Sequence, residues 1–126
     1  MNVASVERCE ELYHLSGWNE TEYFYQLIEY SDLSSGYFLT NPALEAPLTA
    51  QSYPAYDLGY LLRRLPQNTW IGYVDTSRQR GYALATTYAW NTAGTDIGKI
   101  AECRADTPED AACLLAIEVL RQGASL

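Results

Sequence analysis

The sequence predicts an α+β domain, an antiparallel sheet of three to five strands with helices packed on one face, in the order α-β-β-α-β-β-β-α. Three observations carry that prediction. The last is a helix with both ends marked: Thr107-Pro108-Glu109-Asp110 opens it, Ala111 to Leu120 is almost wholly apolar, and Gly123 closes it. Before it lie three segments rich in β-branched and aromatic residues, 69–74, 82–90 and 97–103, joined by short polar connections. Such spacing suits an antiparallel meander. Two further stretches, 3–14 and 56–65, repeat apolar residues every three or four positions, as helices do.

In the first helix, Val3, Val6, Cys9 or Glu10, and Tyr13 form the stripe and Ser16-Gly17 supplies the stop. Thr21 to Tyr30 reads as a strand, with Phe24 and Ile28 on one face and Tyr23, Tyr25 and Leu27 on the other. After the turn Ser34-Ser35-Gly36, residues Gly36 to Thr40 read as its partner. An irregular stretch follows at about 41–55, broken by Pro42, Pro47 and Pro54.

The second helix spans Tyr56 to Leu65, with Leu58, Leu61, Leu62 and Leu65 as its buried stripe, Asp57 in its first turn and Pro66 as its end. Thr69 to Val74 and Tyr82 to Trp90 flank a polar turn at Asp75 to Gly81. A second turn at Asn91 to Asp96 leads to the strand Ile97 to Cys103. In the final helix, Thr107 is the N-cap of a capping-box pattern in which Asp110 replaces the usual Glu or Gln. Its buried face is Ala112, Leu115, Ala116, Val119 and Leu120, with Asp110, Glu118 and Arg121 opposite.

At 126 residues the chain is expected to form a single domain, residues 1–126, large enough to bury a core. No apolar run is long enough to span a membrane, and the first residues carry neither a basic region nor an apolar signal core. Three cysteines, Cys9, Cys103 and Cys113, form no Cys-x-x-Cys pair, so reduced thiols in a reducing cytoplasm are expected. The formal charge is −8, with a single lysine, Lys99. Phosphate contacts need clustered Lys and Arg, so direct nucleic-acid binding is disfavoured, and a basic protein surface is the better electrostatic match.

Residues able to carry chemistry are sparse. His14 is the sole histidine, five positions from Cys9 and therefore off its helical face. No Gly-x-Ser-x-Gly elbow, phosphate loop or calcium loop is present. The sixteen carboxylates show no metal-ligand spacing. No catalytic residue, metal or cofactor is expected, and the chain reads more as a binding protein than as an enzyme.

The aromatic content is what stands out. Eleven tyrosines and three tryptophans accompany two phenylalanines, and Tyr and Trp favour interfaces because each carries a polar end. In the strand at 69–74, Trp70, Gly72 and Val74 share one face, and Ile71 and Tyr73 the other. In the strand at 82–90, Tyr82, Leu84, Thr86, Tyr88 and Trp90 share one face, and Ala83, Ala85, Thr87 and Ala89 the other. Helices must cover one side of this sheet. The candidate binding residues are therefore Trp90, Tyr88, Tyr82, Trp70 and Tyr73, with Trp90 foremost because it ends its strand.

The order helix 56–65, three strands and helix 107–122 is similar to that of double-stranded-RNA-binding domains. The basic residues such domains place on the last helix are replaced by Glu109, Asp110 and Glu118, so the likeness implies fold order only. A second likeness rests on Glu11-Leu12-Tyr13-His14-Leu15-Ser16-Gly17-Trp18, Tyr56-Asp57-Leu58-Gly59-Tyr60-Leu61-Leu62-Arg63-Arg64-Leu65-Pro66 and Ala105-Asp106-Thr107-Pro108-Glu109-Asp110-Ala111-Ala112. These segments resemble small proteins encoded by bacteriophages and prophages. The resemblance implies an accessory role in a bacterial cytoplasm and transfers no site residues. The expected function is binding of a host or phage protein through an acidic, tyrosine-rich surface, an anti-defence or charge-mimic role included. Self-association as a small assembly protein and sequestration of a small ligand are the alternatives.

Overall fold

A computed structural model describes residues 2–29, 35–43, 51–76, 79–90, 93–123 and 126, without the side chains of residues 28, 29, 76, 79, 80 and 90. The elements are α1 (Val6–Ser16), β1 (Phe24–Glu29), β2 (Ser35–Thr40), β3 (Ser52–Pro54), α2 (Leu58–Arg64), β4 (Thr69–Thr76), β5 (Gln79–Trp90), β6 (Ile97–Ala105) and α3 (Pro108–Arg121). The class is α+β, and the expected order holds with one added strand. The strands divide into two antiparallel three-stranded sheets, β2-β1-β3 and β4-β5-β6.

β3 is the element the sequence conceals. Three residues ending at Pro54 pair with β1, Phe24 opposite Pro54 and Gln26 opposite Ser52. A strand this short, with a proline at its edge, shows no period-2 pattern. The rest of the stretch expected to be irregular, 44–50, lies outside the described residues, as does the turn at 30–34.

α3 is the central element. Thr107 caps it, its hydroxyl accepting from the Asp110 N–H at 3.1 Å. Ala112, Leu115, Ala116 and Val119 are buried as expected, and so are Ala111, Cys113 and Ile117. At ~100° per residue these positions cover roughly two-thirds of the circumference. One side lies on the second sheet, where Ala83, Ala85 and Ala101 are small enough for close approach. The other side meets α1 and α2, and the Cys113 thiol donates to the Arg8 carbonyl of α1. Behind α1 stands β3 of the first sheet.

Several helix details differ from expectation. Val3 is not helical; it bridges Asp57, and α1 begins three residues later after Ser5. Gly17 ends α1 at φ 71°, where glycine meets no steric penalty. Asp57 is the N-cap of α2, accepting from the Tyr60 N–H at 2.7 Å. The buried stripe of α2 uses Tyr60 and Leu61, while Leu62 is exposed. The capping box of α3 is half made: the Asp110 carboxylate reaches across the fold and accepts from the Ser5 N–H at 2.7 Å. One side chain therefore ties the starts of α1 and α3 together, so Asp110 does not share the solvent face with Glu118. The expected polar turn at Asp75 to Gly81 is mostly strand, since β4 runs to Thr76 and β5 starts at Gln79.

A cationic clamp fixes α2 to the segment after α1. The Arg64 guanidinium lies 5.1 Å from the Trp18 ring and 4.9 Å from the Tyr60 ring, and pairs with Glu20 at 2.9 Å. The Tyr60 hydroxyl donates to the same carboxylate at 2.9 Å. That hydrogen bond, with Arg64 adding to it, holds the Glu20 carboxyl below its usual value.

Two outcomes follow from this packing. Leu115→Ala should destabilise by roughly 2–5 kcal/mol in denaturant melts, while Glu118→Ala should stay within about 0.5 kcal/mol. Because the Glu20 pKa is lowered on folding, its contribution is present above the ordinary 4.5 and is lost as pH falls through the depressed folded value. Glu20→Gln should therefore flatten the acid limb of a stability–pH curve below that point and leave the alkaline limb in place.

Candidate protein-docking face

Antiparallel pairing sorts the second sheet into two faces. Ile71 lies opposite Ala85, and Ala85 opposite Cys103, so these share the face under α3. Trp70 lies opposite Thr86, Gly72 opposite Leu84 and Val74 opposite Tyr82, on the face away from α3. Among the described residues no helix or strand covers that outer face.

β6 reaches the outer face through an irregularity. Ala101 pairs with Thr87 but Lys99 pairs with Tyr88, leaving Ile100 as an extra residue. A bulge of this kind inverts the alternation of side chains beyond it. Without it Ile97 and Lys99 would share the face of Ala101 and Cys103. With it they join Tyr88, and Ile97 pairs with Trp90. The Gln122 side chain donates to the carbonyl of Ile100 at 3.4 Å, which links the bulge to the end of α3.

The result is a shallow depression of about 290 Å³ lined by Trp70, Tyr88 and Ile97. Trp70 is 71% exposed and Ile97 48%, values high for large apolar side chains. Thr86, though on this face, is covered, and its hydroxyl meets Glu102 at 3.4 Å. Lys99 pairs with Glu102 at 3.3 Å, and the Arg104 guanidinium stands 5.1 Å from the Tyr82 ring. The patch is apolar at its centre with a mixed rather than acidic rim, the usual make-up of an interface core.

The five candidate residues do not form one cluster. Trp70 and Tyr88 meet in the depression. Tyr82 is half-buried beside Arg104. Tyr73 lies on the α3 side yet is 63% exposed, because its ring extends across Gly81. A Cβ on Gly81 would come within 2.3 Å of the Tyr73 hydroxyl, so glycine is what lets the ring lie flat there. The side chain of Trp90 lies outside the described residues. Ile97 was not foreseen, since its exposure depends on the bulge.

Chemistry elsewhere is limited. Cys9 and Cys113 are fully buried, and burial pushes the Cys9 thiol up to about 12 and Cys113 up as well, opposite to what a nucleophile needs. His14 stands 3.7 Å from Glu10, among the rings of Tyr13 and Tyr53. No group of three or more His, Cys, Asp or Glu able to hold a metal occurs among the described residues. Larger hollows of about 520 and 460 Å³ flank the first turn of α3, lined by Asp106 and, in turn, by Glu109 and Asp110. Asp110 is already engaged by Ser5, and neither hollow gathers aromatic rings as the outer sheet face does. No described helix is long and apolar enough to cross a membrane.

Comparison with protein-family models, curated proteins and solved structures finds no match.

The two faces of the sheet should respond differently to mutation. Trp70→Ala should change stability by no more than about 0.5 kcal/mol, as exposed positions do. Ala85→Leu, beneath α3, should cost about 1–3 kcal/mol through overpacking. Thermal melts of the two variants check the assignment.

Proposed function

We propose that the chain is a non-enzymatic accessory protein that binds another protein through the outer face of the second sheet. The observation that carries this reading is the exposed Trp70 beside Tyr88 and Ile97 on a face that no described element covers. Trp and Tyr are the residues on which interface energy concentrates. The resemblance of three segments to phage and prophage proteins supports a role in a bacterial cytoplasm, where the three free cysteines would stay reduced.

Charge enters as steering rather than as the contact itself. The chain carries −8 overall, whereas the docking face carries Lys99, Glu102 and Arg104. A basic partner is drawn in by the long-range field and then held by apolar contact. This describes a binder of basic host or phage proteins.

Capture from a bacterial lysate tests the reading. The wild-type chain should retain a partner that Tyr88→Ala combined with Ile97→Lys does not, with both chains melting alike. Association should slow as salt rises through roughly 0.15 M, where the Debye length is about 8 Å. Capture unchanged by the double substitution would place the contact elsewhere.

A further inference from the structure

We infer that the outer edge of β4 pairs antiparallel with the same strand of a second copy, joining two three-stranded sheets into one of six. β4 and β6 are the edges of the second sheet. Edge strands expose a row of backbone donors and acceptors, and proteins usually guard them with charge. β6 is guarded in this way by Lys99, Glu102 and Arg104. β4 is not: Thr69-Trp70-Ile71-Gly72-Tyr73-Val74 carries no charge, and the first carboxylate is Asp75. Among the described residues no strand pairs with this edge.

The sequence of β4 suits its own copy. Antiparallel pairing of identical strands about a two-fold axis keeps the outer faces of both sheets on one side, so directly opposed residues must come from the same face. A centre at Gly72 satisfies this. It sets Trp70 against the partner copy's valine at 74 and Ile71 against its tyrosine at 73. Aromatic and β-branched cross-strand pairs of this kind are favourable. Asp75 then falls opposite a threonine, the counterpart of Thr69, so no two like charges meet although each chain carries −8. Nothing lies within 4 Å of where a Gly72 Cβ would be, so a side chain can be placed at the centre of the strand without a clash inside the monomer. Trp70 and Tyr73, 71% and 63% exposed, flank it on opposite faces.

The area sets the strength. A fully covered Trp or Tyr buries about 150–250 Å², and two per copy fall short of the roughly 1,200 Å² of a standard interface. The dimer is therefore weak, with dissociation in the micromolar range rather than the nanomolar. This inference does not rest on the docking reading: the two share Trp70, but docking also needs Tyr88 and Ile97, which edge pairing leaves untouched.

Sedimentation equilibrium across protein concentration, with amide exchange read at each residue, tests it. The wild type should pass from monomer to dimer, and amides within 70–74 should slow with concentration while those of β6 do not. Gly72→Lys sets two cations face to face at the centre and should weaken the dimer at least about tenfold, although it lowers the net negative charge. Gly72→Thr should keep or tighten the dimer. A chain monomeric up to about 1 mM, far above a micromolar dissociation constant, would overturn the inference. So would a dimer indifferent to Gly72→Lys. Tyr88→Ala with Ile97→Lys should leave the dimer intact, so failure of the docking reading and failure of edge pairing stay distinguishable.

Discussion

The structure depends on a helix that is apolar around most of its girth. α3 cannot be satisfied by one sheet, because Cys113 and Ile117 point away from the face that Ala112 and Ala116 share. It needs cover on both sides, and the second sheet with α1 and α2 provides it. Alanines at the contact with β5 and β6 set the distance of closest approach. Larger residues there would hold the helix off the sheet and open voids on its other side. The layering of the chain is thus a consequence of the composition of one fourteen-residue element.

The first sheet is held to that helix by polar contacts made by the backbone before α1. The Tyr25 hydroxyl donates to the Ala4 carbonyl at 2.7 Å, the Ala4 N–H donates to Tyr56, and Ser5 donates to Asp110. Each engages a main-chain group near the core, where an unpaired one is costly. The short stretch from Val3 to Ser5 therefore joins β1, α2 and α3, although it belongs to no regular element. Its apolar spacing imitates the first turn of a helix, which is why pattern alone extends α1 too far toward the N-terminus.

What was legible followed from local chemistry. The ends of α3 were readable because Thr107, Pro108 and Gly123 each have a positional meaning that distant contacts do not alter. The two faces of β4 and β5 were readable from alternation, since alanines marked one side of β5. Three things were not. β3 is too short for a period, and its pairing with β1 is a tertiary event. Tyr60 replaces Leu62 in the core because a clamp of Trp18 and Arg64 surrounds its ring, and no helical wheel encodes that. Ile97 reaches the outer face only through a shift in register, so a strict alternation from Ala101 assigns it to the wrong side.

That shift ties the composition of the outer face to strand register as well as to residue identity. Between Gly98 and Ala101 the ladder holds one residue more than its partner strand requires. Deleting the codon of Ile100 would restore perfect alternation and leave the display as it is, with Lys99 still opposite Tyr88 and Ile97 opposite Trp90. Flattening the bulge at unchanged length would do the opposite and turn Ile97 and Lys99 toward α3. A one-residue gap at position 100 in a related sequence would therefore preserve this surface, because the register against β5 decides which side chains are displayed.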